Sequence, residues 1–322
     1  MSEDEIIYVE KEKYLEIIGF ASYVFFTKQI TKYSGMAGGR IRTLSEFWEN
    51  FIYGKIAEEA FKLFLNRNFS LKTLTEVDIA GFCKGKYLPD IVSLKSNSDF
   101  IPLNFWIDVK EVRRDQKWSL VSASSTQQRP YDAYVVVWVG LPEEHIIWLV
   151  KNVPEVEKRM SKEWLNEVSR IAENIEKIPC RIIGFVLWNE IDATMHKEDH
   201  ALRTKGGFYF DGKTPLFDPE DSSWKGVKVK ENIGFFLSKL KQESKWELLA
   251  SLILKNKKII GEVPLKRTKS GELYKTYGLP PDFESFQDCR NAFQTYLYYQ
   301  LEEIKQKFGT VERTSSWFAQ PL

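Results

Sequence analysis

Asp90, in the stretch Tyr87-Leu88-Pro89-Asp90-Ile91-Val92-Ser93-Leu94, and Asp108 and Lys110, in Asn104-Phe105-Trp106-Ile107-Asp108-Val109-Lys110-Glu111-Val112, have the types and spacing to do chemistry. Read as two strands, these segments place Asp90 at the start of the first. They put Asp108 and Lys110 on one face of the second, because side chains two apart in a strand point the same way. Hard divalent cations take oxygen ligands, commonly one or two carboxylates completed by water and phosphate. Asp90 and Asp108 are therefore a candidate cradle for Mg2+, with Mn2+ as a substitute. Lys110 beside them would position a water and neutralise charge on a phosphate. The same spacing suits an ordinary cross-strand or solvated ion pair, and Asp-x-Lys recurs at Asp115-Gln116-Lys117 and Asp211-Gly212-Lys213. Context separates the first occurrence from the others. Ile91, Val92 and Leu94 make an apolar run, while Phe105, Ile107 and Val109 alternate with the polar set as a strand with one buried face requires.

Upstream, Thr43-Leu44-Ser45-Glu46 has the pattern of a capping box and predicts a helix running to Leu65. Phe47, Phe51, Gly54, Glu58, Phe61 and Leu65 recur along it at helical spacing. Glu58 thus lies in an otherwise apolar stripe, where an unpaired carboxylate is costly and a metal would remove the cost. Glu59, between Trp48 and Ile52 on the helical wheel, supports the same argument, so spacing leaves the choice between the two open.

Pro89-Asp90 followed by Asp108-Val109-Lys110 resembles the signature of the PD-(D/E)XK nuclease superfamily. Its members are Mg2+-dependent phosphodiesterases that include most type II restriction endonucleases and archaeal Holliday-junction resolvases. The helix Gly54-Lys55-Ile56-Ala57-Glu58-Glu59-Ala60-Phe61 supplies the upstream glutamate belonging to that pattern. The resemblance spans roughly residues 45–190. It implies an α/β fold, a restriction-endonuclease-like core with a central mixed β-sheet flanked by helices. It also implies Glu58 as an additional metal or water ligand, a catalytic set of Glu58, Asp90, Asp108 and Lys110, and in-line attack of an activated water on phosphorus. Enzymes of the type II class usually act as homodimers, since a twofold protein reads a palindrome and cuts both strands.

The other elements are read around this core. In an N-terminal extension, 1–43, residues 12–31 predict a helix with Tyr14, Ile17, Ile18, Ala21, Val24 and Phe25 at helical spacing. A glycine-rich basic loop, Ser34-Gly35-Met36-Ala37-Gly38-Gly39-Arg40-Ile41-Arg42, follows. Its glycines would let the backbone approach a duplex, Arg40 and Arg42 could contact phosphates or a narrow minor groove, and Met36 could wedge between base steps. The alternative is a plain surface loop with its arginines paired to nearby acids. Within the core, 44–195, Glu76–Phe82 reads as a first strand, Trp118–Arg129 as a helix and Asp132–Val139 as a buried strand. A helix over 155–177 and a strand over Arg181–Trp188 complete the α/β order. The segment 196–322 is expected to form a mostly helical C-terminal lobe for recognition or dimerisation. In it, 231–255 reads as one or two helices, 255–271 as a basic hairpin and 283–308 as a final helix. Arg113, Arg114, Gln116, Lys117 and Arg129 follow the second carboxylate strand and are candidates for reading bases, Arg and Gln suiting guanine and adenine edges.

Composition bounds these expectations. The chain has 322 residues, enough for a large core, and a formal net charge of +1, the balance expected of an acidic centre with basic flanks as much as of a protein indifferent to nucleic acid. Cys83, Cys180 and Cys289 are odd in number, far apart and in apolar contexts, which argues against a disulfide framework or zinc site and for a reducing compartment. His196 and His200 have the spacing of two ligands on one helix face, but Lys197-Glu198-Asp199 between them reads as a solvated loop. The acidic start and the lack of a long apolar run predict no signal peptide and no membrane span, hence a cytoplasmic protein.

Three functions are compatible with these readings. The first is a sequence-specific endonuclease of double-stranded DNA, of the restriction type. The second is a junction resolvase or repair nuclease. The third is a non-catalytic nucleic-acid-binding protein with a nuclease-like fold. The presence of all four site residues weighs against the third, and a length well beyond the compact resolvases favours the first.

Overall fold

The computed structural model describes residues 6–28, 44–78, 89–96, 99–113, 116–122, 131–142, 145, 176–195, 207–210, 215–216, 227–228, 232–255, 297–299, 301–302 and 305–306. In chain order the elements are β1 (Ile6–Glu10), α1 (Lys11–Lys28), α2 (Leu44–Phe69), β2 (Thr73–Thr75), β3 (Ile91–Ser96), β4 (Asp99–Pro102), β5 (Ile107–Val112), β6 (Trp118–Ser122), β7 (Ala133–Val139) and β8 (Lys177–Leu187). They continue with α3 (Trp188–Met195), β9 (Gly207–Phe210), β10 (Pro215–Leu216), β11 (Val227–Lys228), β12 (Asn232–Phe236), α4 (Leu237–Glu243) and α5 (Trp246–Lys255). The protein is mixed α/β, with a mixed central sheet between helices and a second sheet.

The central sheet runs β1-β8-β7-β5, with β5 and β7 parallel and the other pairs antiparallel. Its middle strand β7, Ala-Tyr-Val-Val-Val-Trp-Val, is buried almost throughout, as a strand covered on both faces must be. One face packs on α1 and α2 through Ile107, Val109, Val135, Val137 and Phe185. The other face presents Val112, Tyr134, Val136 and Val186 to Ile233, Phe235 and Leu240. In β8 the register slips between Val136 and Val137, leaving Ile183 as an extra residue. The side chains that face α2 are even-numbered before it (Ile178, Cys180) and odd-numbered after it (Phe185), so the bulge keeps an apolar set on one face across a change of parity. Next to the bulge, a Cβ on Gly184 would come within 2.7 Å of Leu240 O and Ser244 Oγ. Ser244 Oγ accepts the Phe185 N–H at 2.9 Å, which docks the end of α4 on the strand.

Helix α2 is longer than its apolar stripe predicts and is buried on nearly its whole circumference from Ile52 to Phe61. It ends by a reversal in which Leu71 N–H donates to Leu65 O (3.2 Å) and Ser70 N–H to Asn66 O (3.0 Å), with Ser70 in the left-handed region at φ 54°. The chain then enters the three-stranded sheet β2-β3-β4, antiparallel throughout.

Several expectations are corrected. The first strand after α2 is Thr73–Thr75, and of the strand expected over Glu76–Phe82 the described residues, Glu76–Asp78, are a turn, residues 79–82 lying outside the described ones. Trp118–Ser122 is a strand rather than the start of a helix. It pairs antiparallel with β12, and Trp118 packs its ring 3.6 Å from that of Phe236. That pairing also breaks the expected run of helix over 231–255, whose first five described residues are strand. With β9, β12 and β6 forming one sheet, the C-terminal segment contributes strands as well as helices and is hydrogen-bonded to the preceding part of the chain. Strand β8, expected over Arg181–Trp188, begins at Lys177, inside the expected helix over 155–177, of which residues 155–175 lie outside the described residues. So do the 255–271 hairpin beyond Lys255, His196, His200, Cys83 and Cys289. Of the expected final helix, residues 297–299, 301–302 and 305–306 are described and helical, and Lys305 pairs with Asp99 of β4. Cys180 is a buried free thiol, its pKa pushed up to about 12 by burial. Among the described residues no helix is long and apolar enough to cross a membrane.

Candidate active site

Asp90 stands immediately ahead of β3 and is fastened to β5 at two points. Its backbone N–H donates to Ile107 O (3.1 Å), and its Oδ2 accepts the Val109 N–H (2.6 Å). These bonds fall on either side of Asp108, so the two aspartates are brought together. Strand alternation turns Ile107 and Val109 into the core under α2, which leaves Asp108 and Lys110 on the opposite face. There Lys110 Nζ lies 2.7 Å from Asp108 Oδ2, with the lysine side chain 34 % exposed. Burial works to lower the Lys110 pKa, but the Asp108 and Asp90 charges outweigh it and raise the ammonium above its usual range.

The third carboxylate comes from α2. Glu58 is buried, and Lys55, one turn earlier, places Nζ 2.7 Å from Glu58 Oε1 and 2.9 Å from Glu76 Oε2. The other oxygen, Glu58 Oε2, is buried and has no hydrogen-bond partner among the described residues. Burial and then the Asp90 charge push the Glu58 pKa well above the ordinary carboxylate range, Lys55 opposing them. Asp90 is pushed up to about 7, first by burial and then by the Asp108 charge, against the pull of Lys55, the Val109 N–H and Lys110. Four carboxylates, Glu58, Glu76, Asp90 and Asp108, thus interact with two ammonium groups, Lys55 and Lys110. Among the described residues, carboxylates in this cluster outnumber ammonium groups.

The adjacent glutamate lies in different surroundings. Glu59 Oε2 is 2.8 Å from Lys62 Nζ and 3.8 Å from Lys13 Nζ. Asp78 meets the same two lysines at 2.9 and 2.7 Å and accepts the Thr75 N–H at 2.8 Å. Of the pair that spacing left open, it is Glu58 whose charge is coupled to Asp90.

The arrangement can take a hard divalent cation. An orphaned buried carboxylate oxygen, an aspartate whose pKa is raised by burial and by the Asp108 charge, and an excess of carboxylates among the described residues all fit such an ion. Among the described residues no three of His, Cys, Asp and Glu stand as a ready-made metal-binding group. A cation here would rest on Asp90 and Asp108, with Glu58 close by and water or phosphate oxygen completing its shell.

Of the residues expected to touch DNA, Met36, Arg40, Arg42, Arg114 and Arg129 lie outside the described residues. Arg113 is engaged within the protein. Its guanidinium donates to Glu49 Oε1 (2.5 Å) and Asn50 Oδ1 (2.8 Å) and lies 4.4 Å from the Tyr53 ring centroid, which ties the end of β5 to α2. Gln116 accepts the Arg113 N–H through Oε1 (2.9 Å), and both Gln116 and Lys117 are exposed. Two members of the charge cluster, Lys55 and Glu76, were not expected. The i,i+3 spacing of Lys55 and Glu58 on a helix carried the signal for the first, whereas Glu76 was assigned to a strand. Comparisons with protein families, with curated proteins and with solved structures find no match to this chain.

Proposed function

We propose that the protein is a Mg2+-dependent endonuclease that hydrolyses phosphodiester bonds of double-stranded DNA at specific sequences, with a PD-(D/E)XK-type core and, in the restriction manner, working as a homodimer. The observation that carries this reading is the coupling of Asp90, Asp108, Lys110 and Glu58 at the junction of β3, β5 and α2. The order of elements supports it too: a glutamate-bearing helix, an antiparallel strand set carrying Asp90, the Asp108 strand, and a further strand parallel to it. Asp90 and Asp108 would hold the cation, which when bound supplies Lewis acidity and a water of lowered pKa. Lys110, charged and tied to Asp108, is placed to neutralise developing negative charge on a phosphate. The buried Val109 N–H fixes the Asp90 carboxylate in orientation. Incubation of the purified protein with plasmid and phage DNA and Mg2+ tests the reading. Discrete fragments are expected. A smear removes sequence specificity, no cleavage at all removes the nuclease, and a four-way junction cut far better than linear duplex replaces it with a resolvase.

A further inference from the structure

Lys55 is an ammonium group inside a site that is short of positive charge. Its side chain is 9 % exposed, it bridges Glu58 Oε1 at 2.7 Å and Glu76 Oε2 at 2.9 Å, and its charge reaches Asp90. Glu58 has one oxygen neutralised by the chain and the other, Oε2, buried with no hydrogen-bond partner among the described residues. A second cation arriving beside Asp90 would therefore meet a like charge already held at the same carboxylate, and the two would repel strongly at such short range. Lysine can give way. Its charge sits on a flexible four-carbon stem with three donors, so it can loosen one carboxylate while keeping another. Glu76, at 22 % exposure the more open of its two partners, is the one able to keep it.

We propose that Lys55 is a positioning residue that serves as a built-in counter-cation, holding Glu58 beside Asp90 in the metal-free protein and moving over to Glu76 when a divalent cation binds. The inference rests on the metal-dependent reading above and adds how the site sets its affinity. Lys55 competes with the metal and weakens its binding. Glu76 strengthens it, by receiving the displaced ammonium.

Mn2+ binding, followed by the electron paramagnetic resonance signal of the free ion in the absence of DNA, tests this on the full chain. Lys55→Met is expected to bind Mn2+ roughly tenfold more tightly than wild type, and Glu76→Gln roughly tenfold more weakly. In the Lys55→Met background the Glu76→Gln effect should largely vanish, because a merely additive loss of negative charge would be the same in both backgrounds. Equal effects of Glu76→Gln with and without Lys55 overturn the proposal, and so does unchanged affinity in Lys55→Met. If Lys55→Met does not fold, Lys55→Gln, which removes the charge and keeps a polar side chain, takes its place in the same cycle with the same expected and overturning outcomes. Wild type that binds no Mn2+ removes the metal-dependent reading together with this one, whereas wild type that binds, with variants that do not differ, removes only this one.

Discussion

Glu58 and Glu59 are neighbours on one helix, each 5 % exposed and each with its pKa raised by burial, and they face different partners. On the Glu59 side, Lys13 and Lys62 face Glu59, Asp78 and the more exposed Glu16. Each of these carboxylates has a lysine ammonium at 2.7 to 2.9 Å. Burial works to raise the Asp78 pKa, yet Lys62 and Lys13 prevail and lower it to about 2. On the Glu58 side two ammonium groups serve four carboxylates, and Asp90 is raised to about 7. Equal burial on a single helix therefore does not mean equal purpose. A buried network in which every carboxylate touches an ammonium fastens elements together, whereas a buried carboxylate held beside another asks for a ligand.

The sharpest way to break this contrast is at the Glu58 cluster. Asp108→Ala is expected to cut the rate of DNA cleavage on the order of a thousandfold or more while duplex binding persists, since much binding comes from phosphate contacts elsewhere. Near-normal cleavage by that variant, or by Lys110→Ala, would sink the assignment. Next in size is a paired experiment on the two glutamates. Glu59→Gln should destabilise the fold by roughly 1–3 kcal/mol, because it leaves buried ammonium groups short of a partner, and should leave cleavage in place at permissive temperature. Glu58→Gln should remove cleavage and cost less metal-free stability, because Lys55 keeps Glu76 Oε2 at 2.9 Å and the repulsion between Glu58 and Asp90 is relieved. Urea melts in EDTA beside a plasmid-nicking assay read both, and a matching stability loss in the two variants would erase the distinction drawn here.

Titration gives a smaller and oppositely signed test. Asp90 is raised from about 3.9 in the unfolded chain to about 7 in the fold. The folded state therefore binds the proton more tightly, and metal-free stability should fall as pH climbs between those values. Asp78 is lowered to about 2, so its contribution is present above about 3.9 and is lost as pH falls towards 2. Asp90→Asn should flatten the neutral arm of the stability profile and Asp78→Asn the acid arm. A profile in which either variant flattens the wrong arm contradicts the assignment. The smallest expected effect lies outside both clusters. Gln116→Ala with Lys117→Ala should reduce the salt dependence of duplex binding by about one unit of log-log slope, from the single lysine removed. An unchanged slope would show that this exposed turn does not touch the backbone.

Much of the centre was legible because its signals are local. Asp108 and Lys110 share a face by alternation alone, and the apolar runs of β5 and β7 mark strands whatever their partners. The choice between Glu58 and Glu59 was not legible, because α2 is buried almost all round and a helical wheel has no outer face to exclude. Trp118–Ser122 read as part of a helix because what makes it a strand is Asn232–Phe236, far along the chain. The parity change at Ile183 was hidden for a related reason: a bulge is defined by the register of the neighbouring strand.

The reversal at Ser70 bears on how the chain reaches this state. By turning α2 straight into β2, it brings Glu76 back to Lys55 and Asp78 back to Lys62 within sequence separations of 21 and 16 residues, whereas Lys13 reaches Asp78 across 65. Loops that short close quickly, and local contacts generally form ahead of distant ones. The segment 44–78 is therefore expected to act as an early folding unit that already carries the Lys55–Glu58–Glu76 bridge. On that order of events β3 and β5 would condense onto a helix whose charges are already set, and α1 would lock the Glu59 side last. Slowed folding in Glu76→Gln, with Lys13→Met changing mainly the unfolding rate, is the kinetic signature that would follow.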